Sequence, residues 1–319
     1  MTNNRSAVFE IAMMARVTWD LHSLNNEGTV GNVTEPRTVV LASGEKSDGV
    51  SGEMLKHIHS YNVWLLEADK SRFCPACQRL QPQKADEPAY RKTIAGKTNA
   101  EVMAKAIAKC ALCDLHGFLV QEPPIARRST VEFGWAVGLP QQYHREIHLH
   151  ARHSMEERQT RDRREAAQHE QQERGEEREV SAQMVYHRPT RSGVYALVSL
   201  FQPWRIGLNE ITYDYVPDAD RQARYRLALL AYKAALTHTD GAMTSTRLPH
   251  PEALEGVIAL STRNFPAPVV SPLNDTYDQE VAALAKQESG CEVYTFNSLL
   301  EVSKILDDLS QRPILSFKT

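Results

Sequence analysis

SAVFEIAMMARVTW, residues 6–19, decides the fold. Val8, Phe9, Ile11, Met13, Met14 and Val17 are too dense over too short a span for an amphipathic helix, so the stretch predicts a long first strand. HSLNNEGTVGNVTEPRTVVLASGEKSDG follows, rich in Gly, Asn, Thr and Ser, and reads as a loop with a short strand at Thr38–Ala42. Ser51 then stands as an N-cap, with Glu53 in the first turn where the helix dipole favours an acid. Met54, Ile58, Tyr61 and Leu65 recur at helical spacing, so their face is expected to bury, leaving Lys56 and Ser60 opposite and His57 at the edge. Further on, FGWAVGL, REIHLHARH, MVYHRPTRSGVYALVSLF and WRIGLNEITYDY read as strands, broken at Pro189, Gly193 and Pro203. A helix is predicted from Asp218 to Thr237 with Leu227, Leu230, Ala231 and Ala234 on one face. EGVIALST (strand), TYDQEVAALAKQ (helix), CEVYTFNS (strand) and LLEVSKILDDL (helix) complete the chain. Strand, helix, strands, helix, strand is the order of an α+β ferredoxin-like, RNA-recognition-motif-like sheet with insertions.

The chain has 319 residues, 42% hydrophobic and 24% charged, the balance of a folded soluble protein. That length accommodates one large core with insertions or two domains. No apolar run approaches the ~20 residues of a membrane span, and the N-terminus lacks a basic start followed by an apolar stretch, so a cytoplasmic protein without membrane partners is expected. With a net charge of −3 the chain as a whole is not an obvious polyanion binder, and any such site must be local. Residues 71–110, however, carry eight basic side chains (Arg72, Arg79, Lys84, Arg91, Lys92, Lys97, Lys105, Lys109) against three acids (Asp86, Glu87, Glu101). That local excess is a footprint for a nucleic-acid backbone. Residues 155–179 are a run of alternating charges with no apolar stripe, either a solvated helix laced with ion pairs or a loop that orders on a partner.

Cys74-Pro-Ala-Cys77 and Cys110-Ala-Leu-Cys113 are the strongest site signal in the spacing. Two residues between thiolates let one turn aim both sulfurs at one ion, and two such turns complete a tetrahedral zinc site. The 32 residues between the pairs exceed the usual spacer, and NAEVMAKAIAKC supplies a helix to occupy it. Four thiolates leave no open position, so such a zinc organises structure, and Cys74→Ser is expected to unfold 71–118 locally. Cys291 in its apolar strand reads as a buried thiol. His144-Arg145-Glu146 matches the H-x-E of zinc deaminases, but the cysteines precede it, which excludes that chemistry. His144, His148, His150 and His153 read as solvated or RNA-facing rather than as a second metal site. Trp64, Trp135 and Trp204 read as core. No nucleophile motif is present, and no catalytic residue is assigned.

HSLNNEG (22–28), TVVLASGEKSDGVSGEMLKHIH (38–59) and HRPTRSGVYALVSLFQPWRIGLN (187–209) resemble the DevR-like branch of the Cas-seven family, the backbone subunits of type I CRISPR effector complexes (Cascade). The similarity runs in order over most of the chain outside 71–118 and 155–185. It implies an RNA-recognition-type palm (1–70 and 187–319), a cysteine-rich finger (71–118) and a web and thumb region (119–186). It implies a non-enzyme whose copies polymerise along a guide RNA beside other Cascade subunits and present it to target DNA. By position in the resembling motifs, Ser51, Lys56 and His57 at the helix opening, Arg37 in a basic loop, and Asn25 with Asn26 are implied RNA contacts. A helix mouth attracts phosphate, which agrees. Arg188 and Arg191 flank Pro189 where two guanidiniums reach neighbouring phosphates, and Arg127 with Arg128 form a second pair. Surface ion pairs are the competing reading for each of these arginines. Met155 and Met184 are the apolar candidates for a thumb insertion. Two other classes stay open: a metal-dependent endoribonuclease and a zinc-containing DNA-binding regulator.

Overall fold

The computed structural model describes residues 6–31, 33–152, 184–217, 219–242, 244 and 247–316. The charged run 155–179, His153 and Met155 lie outside the described residues. Twelve strands are described: β1 (Glu10–His22), β2 (Asn26–Val30), β3 (Val33–Pro36), β4 (Thr38–Val40), β5 (Lys46–Val50), β6 (Phe118–Val120), β7 (Ile125–Arg127), β8 (Val131–Phe133), β9 (Ala136–Arg152), β10 (Met184–Phe201), β11 (His250–Ser261) and β12 (Cys291–Phe296). The helices are α1 (Gly52–Leu66), α2 (Pro75–Gln78), α3 (Pro88–Thr93), α4 (Asn99–Lys109), α5 (Ala111–His116), α6 (Arg221–Ala235), α7 (Tyr277–Gln287) and α8 (Leu299–Ser310).

The main sheet runs β12-β11-β1-β10-β9-β5-β4. Its centre is β1, antiparallel to both β10 (Met13↔Ser199, Val17↔Tyr195) and β11 (Met13↔Ile258), while β10 returns antiparallel to β9. With α1 between β1 and β9, and α6 between β10 and β11, the order β11-β1-β10-β9 is that of a ferredoxin-like palm, as the sequence predicts. Period-two alternation gives β1 two buried faces. Ile11, Met13, Ala15 and Val17 face the main core with Leu55 of α1, Tyr225 and Leu229 of α6 and Leu306 of α8. Ala12 and Met14 face Val257, Ala259, and Tyr277 and Val281 of α7.

Two helix faces differ from the periodicity reading. The buried stripe of α1 is Leu55, Ile58, His59, Asn62 and Val63, and Leu65 is exposed. In α6 Arg224, Tyr225, Ala228, Leu229 and Tyr232 are buried while Leu230 is exposed. In both helices polar groups take core positions because partners satisfy them there: Asn62 Nδ2 donates to the Ile58 carbonyl (3.0 Å), and Arg224 reaches the acid described below. The two strand predictions at 132–152 are largely one strand, β9, with β8 separate. The loop 22–50 holds β2 to β5 where one short strand was expected. Cys291 is half-buried, not enclosed, since it opens the edge strand β12.

Residues 71–118 are not a satellite. Phe73, Cys74, Cys77, Tyr90, Met103, Ile107, Cys110, Cys113 and Leu115 belong to the same continuous hydrophobic cluster as Met13 and Val17. The apolar side chains of this segment are therefore continuous with those around β1.

Candidate metal centre and nucleic-acid interface

Cys74 caps α2 and Cys110 caps α5, so each Cys-x-x-Cys pair sits at a helix start where backbone N–H groups face the sulfurs; the Cys113 N–H donates to Cys110 Sγ at 3.3 Å. All four thiols are buried, and their sulfurs lie within 4.8 Å of one another. Cys74 Sγ and Cys77 Sγ stand 3.9 and 3.8 Å from Cys113 Sγ. A tetrahedral site with bonds of about 2.3 Å has edges of about 3.8 Å, so the donor set fits one tetrahedral ion closely. Among the described residues this is the only group of metal-ligating side chains, and His148 Nε2 of β9 meets Thr190 Oγ1 at 2.7 Å.

The cysteine module is fastened to the rest of the fold by Asp114, one residue beyond the last cysteine. Its carboxylate, wholly buried, accepts from Arg127 of β7, from Arg224 of α6 (2.7 Å) and from the Gly207 N–H (2.9 Å). Arg127 also donates to the Leu208 carbonyl at 2.8 Å. Its side chain has no exposed surface, so the expectation that it meets RNA is corrected: Arg127 is a rivet. Its neighbour Arg128 is exposed.

A second buried network sets the start of α1. Asp48 of β5 receives Arg191 (2.9 Å), the Tyr195 hydroxyl (2.8 Å) and, from the rim, Arg145 (3.1 Å). The Tyr195 proton goes to Asp48, so His22 Nε2–H donates to the Tyr195 oxygen (2.8 Å) while His22 Nδ1 accepts the Leu24 N–H. The turn then places Asn25 at a φ of 55°, a left-handed position that Asn tolerates, and its Oδ1 accepts the Ser51 N–H at 2.7 Å. Ser51 Oγ in turn accepts the Met54 N–H at 3.2 Å. At Gly52 a Cβ would lie 2.1 Å from the Phe133 carbonyl, so only glycine lets α1 start against β8. Asn25, Ser51 and Arg191 are buried, and their expected direct RNA contacts are corrected to the positioning of this helix. The helix mouth is capped from within and carries Glu53 in its first turn, whose charge opposes a phosphate there.

What remains open runs along the flank of α1. Lys56 lies 3.3 Å from Glu132 and is partly exposed, and His57 is exposed. With Glu53 and Ser60 they form one wall of a cleft of about 430 Å³, whose other wall is Cys77, Leu80, Gln81, Pro82, Lys84, Leu112 and His116 from the cysteine module. Arg37 pairs with Glu27 (2.7 Å) and stands over Trp135, which is 41% exposed, so Trp135 is a surface platform and not core. Trp204 stacks on Phe9. Arg188 is half-buried in β10 opposite His148, and Asn26 Nδ2 donates to Ser23. Of the basic excess at 71–110, Lys84, Lys105 and Lys109 donate to backbone carbonyls and Arg72 and Arg91 pair with acids. Much of that charge caps the module's own chain.

A model of the family described as "CRISPR-associated negative auto-regulator DevR/Csa2" matches residues 13–282. The chain belongs to this family. Its fold is similar to a chain of a "CRISPR RNA-guided surveillance complex, pre-nicking", with a TM-score of 0.53 and 12% identity over 94% of this chain and 99% of that one. A chain of a second "CRISPR RNA-guided surveillance complex" has a TM-score of 0.49, 12% identity and coverage of 94% and 98%. A comparison with curated proteins finds no match. Among the described residues no helix is long and apolar enough to cross a membrane.

The sequence reading missed a pair of buried histidines in this family member. His59 Nδ1 and His116 Nε2 are 3.0 Å apart under the cleft. Burial pushes the His59 pKa down to about 4 and holds His22 and His116 well below the usual histidine range. A folded-state pKa below the unfolded value of about 6.5 means stability is complete above that pH and is lost as pH falls through the window from 6.5 to 4. His59 alone is expected to withdraw about 2 kcal/mol by pH 5. Urea midpoints at pH 7.5 and 5.0, with bound metal measured in the same samples, check this. A midpoint that does not move while the metal stays bound would contradict it.

Proposed function

We propose that the chain is a non-catalytic backbone subunit that binds a CRISPR guide RNA, oligomerises along it beside other Cascade subunits, and presents it for pairing with target DNA. The supporting observation is the family match over residues 13–282 on a chain whose strands β11-β1-β10-β9 form a ferredoxin-like palm. Lys56, His57, Arg37, Arg128 and Arg188 are the proposed backbone contacts. They read charge and leave base edges to the target strand. The ion in the cysteine centre is proposed to be zinc, since four sulfur donors at tetrahedral spacing favour it and leave no position for water activation.

Lys56→Glu is expected to lower RNA affinity at least tenfold in low salt and to flatten the salt dependence by about one to two phosphate contacts, with the fold intact. Filter retention of an RNA across a salt series measures it, and unchanged affinity would remove α1 from the interface. The size of the assembly should grow with RNA length and ignore RNA sequence. Cleavage of the RNA on adding Mg²⁺ or Mn²⁺ would instead identify an endoribonuclease, and a discrete dimer on duplex DNA would identify a regulator.

A further inference from the structure

Trp135 is the one exposed tryptophan of the chain's four, and it adjoins the start of α1. Glu132, three residues before it, holds Lys56 at 3.3 Å. Between the two, the Phe133 and Gly134 carbonyls meet α1 so closely that a Cβ on Gly52 would lie 2.1 and 3.1 Å from them. The indole is held against β5. A Cβ at Gly49 would lie 3.0 and 3.2 Å from its Cε3 and Cζ3, so a glycine there lets the ring rest on the strand. The Gly49 carbonyl in turn accepts from Arg191 at 3.3 Å, which ties this strand to the buried Asp48 network. The Arg37 guanidinium stands 5.8 Å from the ring centroid, and Glu27 holds it at 2.7 Å. The ring is therefore fixed on two sides, yet the residue is 41% exposed. A flat apolar surface already locked in one orientation loses little entropy when a flat partner covers it.

We propose that Trp135 is a stacking platform for one base of the RNA, with Arg37 and Lys56 contacting the phosphates beside it. Every base has a π-face, so stacking on an indole takes any of the four and suits a guide of arbitrary sequence. It covers the face of the base and leaves the pairing edge free for the target strand. The neighbouring charges favour a nucleic acid over an apolar protein surface as the occupant. Arg37 lies over the ring and Lys56 is held three residues from it, and their partners Glu27 and Glu132 are both more than half exposed, so neither ion pair resists a phosphate strongly. The proposal rests on the RNA-binding reading and adds to it what holds a base, where the lysine and arginines hold only the backbone.

The experiment uses the full, metal-loaded chain with a short single-stranded RNA and with an abasic oligomer of the same length and ribose-phosphate backbone. Trp135→Leu, which keeps apolar bulk beside Gly49 and removes the π-system, is expected to weaken the RNA about five- to hundredfold and to leave the abasic oligomer unchanged. Its salt dependence should match that of the unaltered chain, because stacking releases no counterions. Trp135→Phe should recover most of the loss. On the unaltered chain, RNA carrying 5-iodouridine should photocrosslink to Trp135, a readout that needs no variant to fold. Equal weakening of both oligomers by Trp135→Leu, no weakening of either, or bound RNA that does not crosslink to Trp135 overturns the proposal. So does a Trp135→Leu chain that binds the short RNA normally and fails only to grow along a longer one, since the ring would then contact a second copy. If the chain holds the abasic oligomer in low salt in any of these cases, only the platform has failed. If it retains neither oligomer, the proposed function has failed with it.

Discussion

Cys110→Ser is expected to abolish stoichiometric metal and to cost the whole chain at least about 5 kcal/mol of stability. Cys110 is fully buried, caps α5 and accepts the Cys113 N–H, so the serine removes a ligand and leaves three buried sulfurs with an incomplete tetrahedral donor set. Structural zinc contributes roughly 10–16 kcal/mol of apparent binding free energy, and this appears as folding free energy where no site exists in the unfolded chain. The loss should extend beyond residues 71–118, because Cys74 and Cys113 share one apolar cluster with Met13 of the central strand and Tyr225 of α6. Metal content by elemental analysis, together with amide hydrogen exchange in β1 and α6, measures both parts. A variant that keeps its thermal midpoint and its metal would contradict the centre. One that loses exchange protection only in 71–118 would contradict the shared core.

Asp114→Ala is the second substitution expected to be severe, at about 3–5 kcal/mol. The carboxylate is the counter-charge for two buried guanidiniums, Arg127 and Arg224, and also satisfies the Gly207 N–H. Among the described residues its removal leaves Arg224 with no acid and Arg127 with Glu210 alone, 3.5 Å away, and Arg127 Nε and Arg224 Nε already have no hydrogen-bond partner there. Pairing the change with Arg224→Met, which takes one stranded cation away, should recover part of the loss in a double-mutant cycle. Chemical denaturation with the metal count unchanged isolates the effect from the cysteine centre. A loss under about 1 kcal/mol would mean that water enters this site freely.

The palm was legible because its signal is local: the dense apolar run at 8–17 and the capping at Ser51 need no knowledge of distant residues. The cysteine spacing was legible for the same reason, and the helix expected in the long spacer is α4. Arg127 and Arg191 were misread because no periodic pattern links them to what neutralises them: Asp114 lies 13 positions from Arg127, beyond any single helix turn or strand pair. Arg191 meets Asp48 across 143 positions, and a pattern of short range cannot separate a buried cation with such a partner from an exposed one. The inner faces of α1 and α6 were shifted by His59, Asn62 and Arg224, polar residues that take core positions once their bonds are made elsewhere in the fold. The His59–His116 pair was invisible for both reasons, since 57 positions and one helix packing bring the rings together.

The continuity of the cysteine cluster with the sheet has a physiological consequence. With zinc in that cluster, as proposed, trace-metal supply would gate biogenesis: a newly made polypeptide emerging into zinc-starved surroundings would lack part of its own interior and be open to proteolysis. Under such scarcity the pool of folded chains would shrink.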